Sequence, residues 1–208
     1  MGAATLVAVD PAAPDAAVIE RAAALLRGGG LVAFPTETVY GIGVDLSNPK
    51  AVARLAEVKG RAPDKPITVH IADVEQLDGW GCRFDPLVTR LMQQFWPGPL
   101  TLVLATTRGP VGFRLPDHAV ARALIRAARV TVGAPSANRS EQPPATTADA
   151  VAAEFGDALD LVLDGGLARI GQASTVVDVS GGVCRVLRVG VIPESTVKMV
   201  AEQGGGAA

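Results

Sequence analysis

The sequence predicts an α/β domain of the α+β kind, a single mixed sheet of parallel and antiparallel strands with helices packed on it. Three observations carry this. Apolar strand candidates and amphipathic helices mingle without the regular alternation of a doubly wound fold. Short glycine turns such as Gly181–Gly182 separate the late strand candidates, which suits antiparallel neighbours. Finally, 208 residues, 49% hydrophobic and 19% charged, suffice for one substantial core, and no linker is long enough to divide it.

Thr5–Val9 reads as a short strand. A helix follows from Asp15 to Arg27, with Asp15 as cap, Val18, Ala22, Leu25 and Leu26 as its apolar face, and Gly28–Gly30 ending it. Leu31–Phe34 is an apolar strand. Ser47 or Asn48 caps a second helix, Pro49–Val58, with Pro49 in its first turn. Ile67–Ile71 is a strand candidate, and Pro86–Phe95 a helix with Leu87, Leu91 and Phe95 on one face. Strands are expected at 100–105, 111–114 and 130–134, an arginine-rich helix at 118–129, and another helix at 147–155. The last strands fall at 159–163, 175–179 and 185–188. The core spans about residues 14–193, and 201–208 read as an unstructured tail.

Composition excludes several classes. Every apolar run breaks well before the ~20 residues a membrane helix needs, and no signal peptide opens the chain, so a cytoplasmic location with no membrane partner is expected. Cys82 and Cys184 are two thiols in no motif. The net charge of −2 hides a segregation: residues 108–140 carry six arginines against Asp117 alone, a net of +5, while 141–178 carry a net of −6. That asymmetry points to a basic surface or anion site in the middle of the chain, or to Arg122, Arg126 and Arg129 solvating a helix face.

No P-loop or dinucleotide fingerprint occurs. His70 and His118 lack zinc-ligand spacing, nothing resembles a nucleophile elbow, and eight aromatics are too few and too scattered for base stacking. A phosphate ligand must therefore meet dispersed cations, hydroxyls and amides.

Four polar segments could carry chemistry. Pro35–Gly41 follows a strand directly, where α/β proteins place ligands; alternatively Thr36 caps a short helix. Lys59–Pro66 gathers Lys59, Arg61 and Lys65 on a Gly/Pro-stiffened loop, which suits polyphosphate or else is solvated surface. Ala134–Ser140 offers small hydroxyl and amide groups, for a ligand or for an Asx turn. Gly171–Asp178, with Arg188 on a later strand, could equally be a plain edge hairpin.

Taken in order, Pro35-Thr-Glu-Thr-Val-Tyr-Gly41, Lys59-Gly-Arg61, Lys65-Pro-Ile-Thr-Val-His70, Trp96-Pro-Gly-Pro-Leu-Thr101, Arg114-Leu-Pro116, Pro135-Ser-Ala-Asn138, Ser174-Thr-Val-Val-Asp178 and Val186-Leu-Arg188 resemble the YrdC-like family of threonylcarbamoyl-AMP synthases. The resemblance covers about residues 20–193 and is closest to the short bacterial-type single-domain form. It implies an open, twisted mixed sheet around a deep cleft, one domain over 1–208. It further implies a nucleotidyltransferase that joins L-threonine, bicarbonate and ATP into threonylcarbamoyl-AMP and pyrophosphate, with Mg2+, for threonylcarbamoyladenosine modification of tRNA.

By the same resemblance Lys59 and Arg61 are the catalytic cations. Lys59, Arg61, Lys65, Asn138, Thr146 and Arg188 form the ATP site, and Thr36, His70, Arg114, Ser136 and Ser174 the threonine side, with Arg114 the partner for a carboxylate. No protein metal ligand is implied, since Mg2+ travels with the phosphates. tRNA and later enzymes of the tRNA-modification pathway are the implied partners. The sequence departs from the family in a short stretch between Thr101 and Arg114, in Glu141 where Gly is usual, in Val189 where Pro is common, and in Gln172-Ala173. Two alternatives stay open: a non-catalytic paralogue that binds double-stranded RNA or tRNA, and a carbamoyltransferase-type relative.

Overall fold

Capping chemistry sets the first helix. In the computed structural model, which describes residues 5–62 and 65–203, the Asp15 carboxylate accepts from the amides of Ala17 and Val18, and helix α1 runs Ala16–Arg27. Asn48 does the same for Lys50 and Ala51, and α2 runs Pro49–Lys59. The remaining helices are α3 (Pro86–Phe95), α4 (Ala119–Ala128), α5 (Ala148–Phe155, capped by Thr147) and α6 (Glu194–Glu202).

The strands are β1 (Leu6–Ala8), β2 (Val32–Phe34), β3 (Gly41–Asp45), β4 (Val69–His70), β5 (Leu100–Thr106), β6 (Gly109–Arg114), β7 (Val132–Gly133), β8 (Leu161–Asp164), β9 (Thr175–Asp178) and β10 (Arg185–Arg188). They form one open ten-stranded sheet in the order β1-β8-β2-β3-β7-β4-β6-β5-β9-β10. The pairs β1–β8, β8–β2, β4–β6 and β5–β9 are parallel and the rest antiparallel, so the sheet is mixed as expected.

Alternation along the strands builds a core on each face. Val32, Phe34, Leu161 and Leu163 point to the α1–α4 side, while Ala33, Ile42, Val44 and Val162 point to the α2–α5 side. A third cluster packs α3 and α6 on β5, β6 and β9 through Leu91, Leu100, Leu102, Phe113, Val177, Val197 and Val200.

Four elements were not expected: β3, the 3-10 helices Val74–Trp80 and Gly156–Ala158, and α6. β3 was obscured by its glycines, but Gly43 is there for close packing, since a Cβ on it would lie 3.0 Å from the Phe34 ring. The core also exceeds the expected 14–193: β1 extends the sheet and α6 buries Val197 and Val200. Ala201 and Glu202, assigned to the tail, close α6, and 204–208 lie outside the described residues.

The basic stretch resolves into local pairings rather than one basic surface. Arg122 and Arg126 both reach Asp73, Arg108 lies over the Trp80 ring and Arg139 over Phe155. Of its six arginines only Arg114 enters the cavity described next. Among the described residues, no helix is long and apolar enough to cross a membrane.

Candidate active site

Polar residues that follow strands are buried here only because they satisfy each other. Thr36, Glu37 and Thr38 lie between β2 and β3 at 2%, 2% and 0% exposure. The Thr36 hydroxyl donates to the Val39 carbonyl (2.6 Å) and accepts from the amides of Thr38 and Val39. These are cap-like bonds, but no helix follows; the chain turns straight into β3, which corrects the capped-helix alternative.

The end of α2 supplies two cations. Gly60, with φ +60, is the left-handed cap that turns the chain between Lys59 and Arg61. The Lys59 ammonium donates to the carbonyls of Ser136 (2.5 Å) and Asn138, tying α2 to the segment after β7. Arg61 Nη2 donates to the carbonyls of Lys65 (2.5 Å) and Pro66 (3.1 Å), which pins the far side of its own loop. Pro63 and Asp64, in that loop, lie outside the described residues.

The third segment builds its own turn and still faces the ligand space. Ser136 Oγ donates to Asn138 Oδ1, and Asn138 Nδ2 donates to the carbonyls of Arg139 and Gln142. The fourth is an edge hairpin, β9–β10, and that hairpin delivers a cation: Arg188 Nη2 donates to the Ser174 carbonyl at 2.9 Å. Ser174 Oγ in turn shares a hydrogen bond with Thr101 Oγ1.

All of this converges on a cavity of about 310 Å3 beside the shortest strands, β4 and β7. Ten expected site residues line it: Thr36, Lys59, Arg61, Lys65, His70, Arg114, Ser136, Asn138, Ser174 and Arg188. Thr146 is not among the lining residues; its carbonyl accepts from the Ala168 amide. Tyr40, Thr68, Thr101 and Glu141 also line it and were not singled out. Thr101 did carry a signal, a hydroxyl between Leu100 and Leu102 in an otherwise apolar strand.

Five cations therefore share a wall with one carboxylate, Glu141, among the described residues. The electrostatics bear the mark of that imbalance. Burial, then the Arg61 charge, lowers Lys59 to about 8. Burial lowers Arg61, and desolvation together with the Arg114 charge lowers Arg188. His70 is pushed down to about 3 by burial and by Arg114, and stays neutral with its ring edge-on to Phe34. A cavity whose cations repel one another without a ligand is built for an anion.

Position 141 carries a side chain on backbone that favours glycine: Glu141 has φ 69, the left-handed conformation that glycine adopts at least cost.

The comparisons with known proteins agree with this geometry. The threonylcarbamoyl-AMP synthase of Bacillus subtilis is 42% identical over 193 residues, covering 88% of this chain and 56% of the relative. That of Chromohalobacter salexigens is 37% identical over 174 residues, covering 79% of this chain and 94% of the relative. The chain thus spans just over half the length of the Bacillus relative and nearly all of the Chromohalobacter one. The crystal structure of Sua5 from P. abyssi complexed with L-threonine superposes with a TM-score of 0.88 at 38% identity, over 94% of this chain and 60% of that one. E. coli YciO, at 21% identity, shares the fold with a TM-score of 0.83. Residues 24–190 match the family described as telomere recombination, Sua5/YciO/YrdC, and with the fold, the cavity and these relatives in agreement, the chain belongs to that family.

Proposed function

We propose that this chain is an L-threonylcarbamoyladenylate synthase, joining L-threonine, bicarbonate and ATP into threonylcarbamoyl-AMP with release of pyrophosphate. One observation supports it above the others: Lys59, Arg61, Lys65, Arg114 and Arg188 gather around a single cavity with hydroxyls between them. This is what a reaction between a polyphosphate and an amino acid requires.

In this reading the threonine amine combines with bicarbonate to give a carbamate and water. A carbamate oxygen then attacks the α-phosphorus, the bond to the β-phosphate oxygen breaks, and pyrophosphate leaves with the charge. Lys59, Arg61 and Lys65, with Arg188, hold the phosphates and offset that charge. Positioning and cationic stabilisation do the catalysis, and no covalent intermediate is needed. Asn138 shapes the nucleotide side and Ser136 the amino-acid side. Thr36, neutral His70, Ser174 and the Arg114 guanidinium receive the amino acid, Arg114 taking its carboxylate. The buried wall shields the labile carbamate from bulk water.

No cluster of three metal-ligating side chains occurs among the described residues, and Glu141 is the one carboxylate on the cavity wall. The donors fit a magnesium ion carried by the ATP phosphates rather than caged by protein. Bound in that way, Mg2+ neutralises phosphate charge. The product would serve tRNA modification, with the later enzymes of that route as partners.

The test is pyrophosphate release that depends on threonine, bicarbonate and ATP together. Release no higher than background, in conditions where a B. subtilis-type synthase is active, would refute the proposal. Pairing of Arg122 and Arg126 with Asp73 weighs against the RNA-binding alternative, because those charges are already engaged.

A further inference from the structure

The ion pair between Glu37 and Arg114 is the most buried among the described residues, its side chains 1% and 6% exposed. It is also half made. Arg114 Nη2 donates to Glu37 Oε1 at 2.9 Å and to Thr38 Oγ1 at 2.6 Å. Arg114 Nε and Glu37 Oε2, the atoms that would complete a two-bond fork, are both buried and unpartnered. With Nη2 engaged and Nε enclosed, Nη1 is the nitrogen Arg114 has left for the cavity, which it lines and Glu37 does not.

Stability alone does not account for this arrangement. A buried pair is a weak stabiliser, and each unmet buried group costs free energy that an apolar pair would not. A one-sided anchor does fix direction. Two acceptors, Glu37 and Thr38, hold the same nitrogen from behind, and Arg188 with its like charge lies near enough to be lowered by Arg114. Without the anchor the guanidinium would be repelled from Arg188 and lose its aim.

We propose that Glu37 is a positioning residue for the substrate carboxylate: with Thr38 it anchors Nη2 of Arg114, so that Nη1 is aimed at the carboxylate of the amino acid in the cavity. This rests on the proposed function and adds to it a residue behind the wall that sets amino-acid affinity without touching the ligand.

The experiment is steady-state pyrophosphate release by Glu37→Gln, which keeps length and one acceptor but removes the charge. The threonine KM rises tenfold or more, kcat at saturating threonine stays within threefold of wild type, and the ATP KM stays within twofold. Thr38→Val, which removes the second acceptor, moves the threonine KM in the same direction by less, and serves as the test if Glu37→Gln does not fold. In an Arg114→Lys background Glu37→Gln changes the threonine KM less than twofold, because the group it acts through is gone. An unchanged threonine KM, or joint loss of kcat and ATP KM, overturns the proposal and leaves the proposed function standing. A wild-type chain with no threonine-dependent release overturns both.

Discussion

Replacing Lys59 by Met separates a binding cation from a structural one. The side chain is 5% exposed and its acidity is shifted from 10.5 to about 8, so holding it charged at neutral pH costs about 3 kcal/mol. Against this stand two hydrogen bonds to the Ser136 and Asn138 carbonyls, whose loss leaves acceptors unmet at about 1–3 kcal/mol each. The two effects nearly cancel, so Lys59→Met shifts Tm by no more than about 5 °C in a chain of this size. Activity in the pyrophosphate assay falls at least a hundredfold. The pH dependence gives a second reading. Between about 8 and 10.5 the unfolded chain keeps the Lys59 proton that the folded chain has released, so stability rises with pH across that window. Wild-type stability relative to Lys59→Met therefore climbs by about 3 kcal/mol from pH 7.5 to 10.5 in urea titrations. A Tm drop of more than 12 °C, or activity within tenfold of wild type, would refute the assignment.

Tyr40→Phe removes the bond from Tyr40 to the Gly166 carbonyl (2.7 Å) and the one it accepts from the Gly165 amide, and costs about 1–2 kcal/mol by urea denaturation. Burial raises Tyr40 to about 12, so its contribution is complete below pH 10 and is lost as pH rises toward 12; Tyr40→Phe lacks that alkaline decline. His70 has the opposite sense: the unfolded chain takes up a proton near 6.5 that the folded chain refuses until about 3, so wild type loses up to about 5 kcal/mol across that window. His70→Gln shows a shallower acid transition by circular dichroism, and an unchanged one would contradict a buried neutral imidazole. Glu141→Gly removes both the side chain at φ 69 and the one carboxylate that the described residues place on a cationic wall. Calorimetry with a non-hydrolysable ATP analogue finds tighter binding, several-fold at low salt, with Tm unchanged or slightly raised.

What was legible in the sequence was local. Asp15, Asn48 and Thr147 cap their helices as their chemistry dictates, and Pro86–Phe95 is a helix over the range its spacing indicates. Short strands were overextended, because Ile67–Ile71 and Val130–Ala134 are rich in β-branched residues while only two residues of each pair in the sheet. β3 was missed because Gly41 and Gly43 weaken the strand pattern, although Gly43 admits the Phe34 ring. In the site, ordered motifs named ten residues that meet in one cavity, but no local pattern marks Glu37 as the partner of Arg114. Those residues are 77 positions apart, and β3, β7 and β4 lie between their strands in the sheet, so only the tertiary fold brings the end of β6 to the segment after β2. Thr146 shows the converse, a residue named by resemblance that is not among the residues lining the cavity.

Each cavity cation with a protein partner has a donor committed to the fold and another free. Lys59 spends hydrogen bonds on two carbonyls, Arg61 gives Nη2 to its own loop, Arg114 gives Nη2 to Glu37 and Thr38, and Arg188 gives Nη2 to Ser174. Carbonyl partners fix direction without neutralising charge, and among the described residues Arg114 is the one cavity cation paired with a carboxylate. It follows that a polyphosphate meets full positive charge on aimed side chains, and little reorganisation is left for the ligand to drive. The amino-acid side differs in kind. There Glu37 offsets the Arg114 charge, so what that side offers a ligand is the Nη1 edge of an anchored guanidinium rather than an unpaired cation. Under the proposed function, one buried glutamate thereby separates the polyphosphate side of a continuous basic cavity from its amino-acid side.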